Sequence, residues 1–135
     1  METSAGDVLN AERITYPVRI LIIDNDVSSA DSLEHMLGVL GYSETRVAYS
    51  DRAALTIAAE FRPDIVLLEL NLLDMGGYEL ARLLRQHAQR QELRLIALTS
   101  SREHADRDLA RSVGFDRYLL KPIAVTDLSD LLELK

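Results

Sequence analysis

Residues 18–26 read Val18-Arg19-Ile20-Leu21-Ile22-Ile23-Asp24-Asn25-Asp26, so an almost continuous apolar run rich in β-branched residues ends abruptly in acidic and amide side chains. Such runs are typical of strands that are buried on both faces of a parallel sheet. Similar runs occupy residues 64–68 and 95–98, and weaker ones occupy residues 44–49 and 117–120. The sequence therefore predicts five strands.

Amphipathic helical patterns separate these strands. Apolar residues that recur three and four positions apart predict five helices, in residues 28–40, 50–61, 80–87, 105–113 and 126–132. Ser50 and Thr126 are typical N-cap residues, and Gly41 and Gly114 stand where a helix ends in a left-handed residue. Pro63 ends the second helix, because the residue before a proline disfavours helical geometry.

The alternation of strands and helices predicts a doubly wound α/β fold with right-handed crossovers. The pattern begins at Val18, so residues 1–17 are interpreted as an N-terminal extension and residues 18–135 as one domain. In such folds the functional crevice lies beyond the carboxyl ends of the strands. The polar residues that directly follow the apolar runs are therefore the candidates for a functional site.

Composition narrows the classes of protein to consider. The 135 residues are 47% hydrophobic and 27% charged, with a formal net charge of -7, as in a soluble globular domain. The negative charge disfavours direct binding to nucleic acid, and the lack of cysteine excludes disulfides and thiolate chemistry. Neither a membrane span nor an export signal is recognisable, so we expect a cytoplasmic protein without membrane contact.

Four charged or hydroxyl side chains stand at the ends of the first, third, fourth and fifth strands, and they are Asp24, Glu69, Thr99 and Lys121. Buried charge is costly unless it is paired or bound to an ion, so Lys121 is expected to neutralise Glu69 or an incoming anion. The carboxylates suit Mg²⁺, and Asp26 is expected to cap the first helix. Each residue alone has a structural explanation, but the four together favour a functional site.

Five blocks of the chain resemble the signature blocks of bacterial response-regulator receiver domains. The blocks are Ile20-Leu-Ile-Ile-Asp-Asn-Asp26, Pro63-Asp-Ile-Val-Leu-Leu-Glu-Leu-Asn71, Asp74-Met-Gly-Gly-Tyr-Glu-Leu80, Ala97-Leu-Thr-Ser100 and Gly114-Phe-Asp-Arg-Tyr-Leu-Leu-Lys-Pro122. The resemblance extends from Val18 to Leu134. It implies a flavodoxin-like fold, with a five-stranded parallel sheet in the order 2-1-3-4-5, and a role in two-component or phosphorelay signalling.

The resemblance implies a metal-dependent phosphorylation site. In the family an aspartate at the end of the third strand accepts a phosphoryl group from a phosphohistidine, and Glu69 stands at that position. The acidic pair that helps to hold Mg²⁺ corresponds to Asp24 and Asn25, and the backbone carbonyl ligand corresponds to Asn71. The implied metal ligands are thus Asp24, Asn25, Glu69 and Asn71.

The same resemblance implies residues that contact the phosphoryl group and transmit the signal. Thr99 corresponds to the hydroxyl donor, Lys121 to the ammonium and Tyr118 to the aromatic ring that changes rotamer. A cis peptide bond is expected between Lys121 and Pro122. No catalytic residue is implied and the chain is not expected to be an enzyme, because a receiver domain acts by presenting a changed surface.

Two departures from the family pattern change the expected chemistry. Glu69 is one methylene longer than aspartate, and a displacement of about 1 Å costs on the order of 10²-fold in rate. Asn25 replaces an acid, which removes a negative charge and weakens Mg²⁺ binding. We therefore expect a pseudo-receiver with impaired or absent phosphoryl acceptance, in which Glu69 pairs with Lys121 or approaches Thr99.

Four alternatives stay open. The chain is an active receiver, or it is a phosphomimetic variant engineered from one by changing aspartate to glutamate. A small aspartate-dependent phosphatase also has an acid after its first strand, where Asp24 stands, but usually carries a cap domain. A flavin-binding protein shares the fold class, but a phosphate after the first strand would be repelled by Asp24 and Asp26.

The expected partners are a sensor histidine kinase, a phosphotransfer protein or a downstream output protein. Mixed charges on the predicted fourth helix, fifth strand and fifth helix would suit a salt-bridged homodimer, although a solvated surface is the simpler explanation. These charged residues are Arg107, Asp108, Arg111, Arg117, Asp127 and Asp130. No output module follows the fifth helix, which fits either a stand-alone receiver or one cut from a longer protein.

Overall fold

The computed structural model describes residues 17–72, 76–88, 92–100 and 114–133. Its strands are β1 (Arg19–Ile23), β2 (Glu44–Ala48), β3 (Ile65–Glu69), β4 (Arg94–Thr99) and β5 (Arg117–Leu120). All five predicted strands are confirmed, within one residue at each end. Every side chain of β3 is buried, as is every side chain of β1 beyond Arg19, in agreement with their continuous apolar sequences.

The strands form one parallel sheet in the order β2-β1-β3-β4-β5. Ile23 at the end of β1 pairs with Ala48 on one side and Leu68 on the other, and Thr99 pairs with Leu120. The predicted flavodoxin-like order is confirmed. The strand order reverses between β1 and β3, and folds of this kind bind their ligands beyond the carboxyl ends of the strands at that point.

Four helices lie in the described part of the chain: α1 (Val27–Val39), α2 (Asp51–Phe61), α3 (Gly77–Ala88) and α4 (Val125–Glu133). Two predicted caps are confirmed, since Asp26 Oδ1 accepts the N–H of Ser29 and Ser50 Oγ accepts the N–H of Ala53. Gly41 has the expected left-handed backbone, with a φ of 98°. Polar side chains therefore begin two of the helices as the sequence indicates.

The start of α4 corrects one prediction. The carbonyl of Ala124 accepts the N–H of Leu128, so Ala124 holds the N-cap position and Thr126 lies in the first turn. Thr126 is wrong as the cap because residues 124–127 are exposed, and water satisfies the first N–H groups of an exposed helix. The predicted helix in residues 105–113, and the N-terminal extension apart from Pro17, lie outside the described residues.

Two hydrophobic clusters lie on opposite faces of the sheet. One packs α2 and α3 against side chains such as Leu21 and Val66, and the other packs α1 and α4 against neighbours such as Ile20 and Leu67. Alternate residues of β1 and β3 thus enter opposite clusters, which holds the strand ends firmly in place. Among the described helices, none combines the length and apolar character that crossing a bilayer requires.

Candidate functional site

The carboxyl ends of four strands carry the polar side chains of the site. Asp24 follows β1, Glu69 ends β3, Thr99 ends β4 and Lys121 follows β5. These ends share one edge of the sheet because the strands are parallel. Asp24, Glu69 and Thr99 are only 1%, 5% and 2% exposed. Two buried carboxylates this close together must be compensated by positive charge or by hydrogen-bond donors.

Lys121 supplies that compensation. Its Nζ lies 2.6 Å from Asp24 Oδ2 and 2.7 Å from Glu69 Oε1. One ammonium therefore bridges two carboxylates that belong to different strands. The predicted pairing of Glu69 with Lys121 is confirmed, and Asp24 joins it as a second partner. We refer to Asp24, Glu69 and Lys121 as the ion cluster.

The other carboxylate oxygens of the ion cluster accept backbone hydrogen bonds. The N–H of Asp26 donates to Asp24 Oδ1 at 2.9 Å, and the N–H of Asn71 donates to Glu69 Oε2 at 2.9 Å. The ammonium of Lys121 and these two N–H groups together donate to all four carboxylate oxygens. Such saturation is what makes buried charge tolerable.

The pKa of Lys121 is raised above the usual value of a lysine. Burial acts in the opposite direction, because it favours the neutral amine. The hydrogen bonds and negative charges of Asp24 and Glu69 outweigh that effect. Lys121 is therefore a firmly held ammonium at neutral pH, and two carboxylates with one ammonium leave a single net negative charge.

Thr99 and Tyr118 lie on β4 and β5, the two strands next to Lys121. The carbonyl of Thr99 accepts the N–H of Lys121 at 2.7 Å, which holds the backbone from which the ammonium extends. Tyr118 pairs with Ala97 in the sheet and packs, partly buried, against the hydrophobic cluster under α2 and α3. The peptide bond between Lys121 and Pro122 is cis, as predicted. The signalling roles of Thr99 and Tyr118 stay predictions.

Among the four predicted magnesium ligands, Asp24 and Glu69 are brought together at Lys121, and the full ligand set stays a prediction. Asp24 and Glu69 share one ammonium, whereas Asn25 is partly exposed and Asn71 is exposed with its N–H directed at Glu69. Across residues 17–72, 76–88, 92–100 and 114–133, no three histidine or acidic side chains are grouped so that they could hold a metal ion by themselves. Mg²⁺ is usually held by one or two carboxylates together with water, so Asp24 and Glu69 are the described side chains here that could hold it.

Sequence reasoning missed Gly77, on which the geometry of the site depends. Its N–H donates to the carbonyl of Leu70 at 3.0 Å. A methyl group on Gly77 would lie 2.5 Å from Leu70 Cα and 2.8 Å from the carbonyl oxygen of Glu69. Glycine alone lets α3 start this close to the end of β3. The adjacent glycines Gly76 and Gly77 were the available signal, since such pairs mark turns and close backbone approaches.

Arg85 is a second residue that the sequence did not single out. Its guanidinium donates to the carbonyls of Leu93 and Gly114 and to Asp116 Oδ2. Asp116 Oδ2 also accepts the N–H of Leu95 at 2.8 Å. These bonds fasten α3 to β4 and to the segment that enters β5. No local pattern signals them, because the partners are far apart along the chain.

A cleft of about 390 Å³ opens beside Lys121, between α1 and the segment that follows β5. Ser32, Leu33 and Met36 form its α1 side, and Pro122 and Ile123 form the other side. The ion cluster can therefore be approached from this side of the molecule. The ammonium of Lys121 therefore borders a cleft that is lined by both apolar and hydroxyl side chains.

Known proteins match this chain in sequence over most of its length. A family model described as the response regulator receiver domain matches residues 20–133. The response regulator MprA of Mycolicibacterium vanbaalenii is 36% identical over 112 residues, 83% of this chain and 47% of that protein. The DNA-binding response regulator MtrA of Mycobacterium tuberculosis is 36% identical over 114 residues, 84% of this chain and 48% of that protein. The chain spans about half the length of these curated relatives.

Solved structures share the fold over most of the chain. The chemotaxis protein CheY4 of Vibrio cholerae superposes with a TM-score of 0.81 at 25% identity, covering 87% of this chain and 98% of that one. A CheY-like receiver domain protein from Methanospirillum hungatei superposes with a TM-score of 0.79 at 26% identity, covering 87% and 92%. The sequence matches and the structural superpositions therefore agree that the chain has the fold of a receiver domain.

Proposed function

Because the chain belongs to the response regulator receiver family, we propose that it is a pseudo-receiver, which signals by protein–protein contact with impaired or absent phosphoryl acceptance. Receiver domains are typically signalling modules of two-component systems and not enzymes. They generally bind Mg²⁺ at an acidic site like the one that Asp24 and Glu69 form here. The proposal concerns how this chain departs from that pattern.

The engagement of Glu69 is the observation that carries the proposal. In-line phosphoryl transfer requires a carboxylate oxygen placed about 3–3.5 Å from phosphorus, with its orbitals aligned. Glu69 instead directs one oxygen to the ammonium of Lys121 and the other to the N–H of Asn71. Its carboxylate also lies one methylene farther from the backbone than that of an aspartate. Both candidate nucleophilic oxygens are thus bonded to internal partners.

A weakened metal site is part of the same proposal. A divalent cation near the ion cluster would lie close to the ammonium of Lys121, which already neutralises part of its negative charge. Asn25 adds an amide where a carboxylate would have added charge. Since Mg²⁺ is held mainly by carboxylate charge together with water, we expect weak binding that the fold does not need.

The bond between Lys121 and Glu69 imitates part of a phosphorylated state. In the family this lysine contacts the phosphoryl group, and here it contacts a carboxylate at the same strand end. The imitation is incomplete, because a phosphoryl group brings close to two charges and three acceptor oxygens. We propose that the domain stays in one signalling state that partners recognise without prior phosphorylation.

The proposed partners are a sensor histidine kinase, a phosphotransfer protein or a downstream output protein. The cleft beside Lys121 is the surface from which such a partner would reach the ion cluster. A homodimer through β5 and α4 is a further proposal, for which Arg117, Asp127 and Asp130 supply exposed charges. The other charged residues of that predicted face, Arg107, Asp108 and Arg111, lie outside the described residues.

Phosphorylation by acetyl phosphate in the presence of Mg²⁺, followed by intact-mass measurement, tests the proposal. We expect no phosphoryl gain by the unchanged chain. We expect one phosphoryl group on the Glu69→Asp/Asn25→Asp variant, which restores both family acids, and none on the Glu69→Gln control. A stoichiometric gain by the unchanged chain would overturn the proposal in favour of an active receiver.

The same experiment separates the remaining alternatives. If Glu69→Asp alone restores rapid phosphorylation, the chain has the properties of a phosphomimetic variant of an active receiver. Turnover of p-nitrophenyl phosphate that is lost in Asp24→Asn would indicate a phosphatase. A yellow purified protein would indicate a flavin. Both oxygens of Asp24 already accept hydrogen bonds, so we expect no turnover. We expect no colour, because Asp24 and Asp26 would repel the phosphate of a flavin.

A further inference from the structure

A second, larger cleft lies between α2 and α3. Its volume of about 500 Å³ leaves room for several side chains. Pro63 and Leu93, which precede β3 and β4, form part of its wall. It therefore lies toward the amino-terminal edge of the sheet, opposite the ion cluster, and plays no part in the proposed signalling chemistry.

The walls of this cleft are mainly apolar. Val66 of β3 and Leu84 of α3 are buried at its base, whereas Leu55 and Ala58 of α2 are only partly buried and Ala59 is exposed. Removing apolar surface from water is favourable in proportion to the area removed. The cleft therefore favours an occupant that brings apolar side chains of its own.

The chain enters the sheet beside this cleft. Arg19 begins β1; its N–H donates to Asp64 Oδ2 at 2.9 Å, and its carbonyl accepts the N–H of Asp64 at 2.8 Å. Arg19 Nε also donates to the carbonyl of Arg62 at 3.2 Å, and Arg62 is one of the residues that line the cleft. The start of β1 is therefore held next to the rim of the cleft.

The direction of the β1 side chains places Arg19 on the same face as the cleft. Successive side chains of a strand point to opposite faces of the sheet. Leu21 belongs to the hydrophobic cluster under α2 and α3, so Arg19, two residues earlier, lies on that face as well. The residues that precede β1 are thus attached at the edge, and beside the face, where the cleft opens.

Residues 1–16 contain apolar side chains that suit such a cleft. Val8, Leu9 and Ile14 are separated by polar residues such as Asn10 and Glu12. An extended chain spans at most about 3.3–3.6 Å per residue, so Leu9, ten residues before Arg19, has a reach of about 33–36 Å. Packed helices have axes only about 8–10 Å apart. The segment is therefore long enough to reach the space between α2 and α3.

We propose that residues 1–16 of the chain dock in the cleft between α2 and α3, where Val8, Leu9 and Ile14 cover its apolar wall. The attachment at Arg19 favours this occupant over a separate molecule. A second molecule must give up translational and rotational freedom when it binds, whereas a segment of the same chain has no such cost. The contact is independent of the phosphorylation chemistry proposed for the ion cluster.

Disulfide trapping in the full chain tests the contact, because the chain has no cysteine of its own. Asn10→Cys/Ala59→Cys places one thiol in the segment and the other at the cleft. Asn10→Cys/Val39→Cys is the matched control, since Val39 is exposed at the end of α1, on the other face of the sheet. In oxidised glutathione we expect the first pair to close an intramolecular disulfide at least about ten-fold faster, because docking raises the effective concentration of the two thiols.

A third protein tests whether apolar contact is the cause. Val8→Ser/Leu9→Ser/Ile14→Ser, added to Asn10→Cys/Ala59→Cys, should slow disulfide formation to the rate of the control. Ala59 and Val39 are both exposed, so the urea midpoints of the cysteine variants should match that of the unchanged chain.

Three results would overturn the proposal. The first is equal rates of disulfide formation in the two cysteine pairs. The second is a rate advantage that survives the three serine substitutions, since the apolar side chains would then have no part in it. The third is a disulfide that forms mainly between molecules, seen as a dimer in non-reducing electrophoresis, which would assign the cleft to a second copy of the chain.

Discussion

At the scale of single residues, one ammonium compensates two buried carboxylates. Lys121 is the shared partner, while the N–H groups of Asp26 and Asn71 satisfy the oxygens that it does not contact. A buried ion pair contributes little compared with an apolar replacement of equal shape. Loss of one partner is different, because the charge that stays behind remains buried without compensation. Removing one partner of the ion cluster is therefore expected to cost more stability than replacing the whole cluster with apolar side chains of equal shape.

Lys121→Met is expected to destabilise the fold by about 3–5 kcal/mol, because it leaves two buried carboxylates without their cation. Urea denaturation monitored by circular dichroism measures the change. Arg82→Met is the matched control, since it breaks the exposed pair with Glu79, and such pairs contribute about 0–1 kcal/mol. Equal losses in the two variants would contradict the compensating role of Lys121.

The raised pKa of Lys121 predicts a loss of stability in alkali. The unfolded chain loses this proton near pH 10.4, taking about 10.4 as the ordinary lysine pKa, whereas the folded chain keeps it to higher pH. The contribution is thus fully present below about pH 10.4 and is lost as pH rises through the folded pKa. Urea unfolding between about pH 8 and pH 11.5 measures the slope.

Tyr49 also changes stability at high pH, so it is replaced before the effect of Lys121 is measured. The hydrogen bond to Asp31 raises the pKa of Tyr49, so that Tyr49 also favours unfolding at high pH. Tyr49→Phe and Tyr49→Phe/Lys121→Met are therefore the proteins to compare. The first should lose stability more steeply above about pH 10.4, and identical slopes would show that Lys121 has no such linkage.

At the scale of secondary-structure elements, α3 runs from the carboxyl-terminal edge of the sheet to its amino-terminal edge. Its first residue, Gly77, packs against the end of β3, and Arg85 near its other end holds β4 and the entry to β5. Its 12 residues span about 18 Å at 1.5 Å per residue. The position of this helix therefore depends on a close backbone approach at its start and on a guanidinium near its end.

Gly77→Ala is expected to destabilise the fold by about 1–3 kcal/mol, because the new methyl group would overlap Leu70 and the Glu69 carbonyl and force the backbone apart. Gly38→Ala in α1 is the matched control. No atom lies within 4 Å of the added methyl there, and alanine is favoured over glycine in a helix by about 1 kcal/mol. Thermal unfolding of both variants gives the comparison, and a stabilised Gly77→Ala would refute the close approach.

At the scale of the whole molecule, the sheet separates the ion cluster from a cleft at its opposite edge. The ion cluster lies at the carboxyl ends of the strands, and the cleft between α2 and α3 lies toward their amino ends. Substitutions at separate sites without shared partners have nearly additive effects. Substitutions in the ion cluster and in this cleft are therefore expected to change stability independently of each other.

Much of the fold could be predicted from residue order. Buried parallel strands are apolar along almost their whole length, so residues 18–23 and 64–68 could be recognised as strands from the sequence. Caps such as Ser50 were readable because capping is a local hydrogen bond. Thr126 was misassigned because an exposed helix start can be satisfied by water, and the sequence does not reveal exposure.

Residue order alone shows the strand–helix alternation, the strand ends that carry Asp24, Glu69 and Lys121, and a glutamate at the position where the family has an aspartate. These properties depend on periodicity and residue type, which local chemistry expresses along the chain. Two features become visible only in the folded chain: one ammonium bridges both carboxylates, and Gly77 must lack a side chain. Those contacts join residues distant in sequence, and packing of the two layers of helices onto the sheet is what brings them within reach.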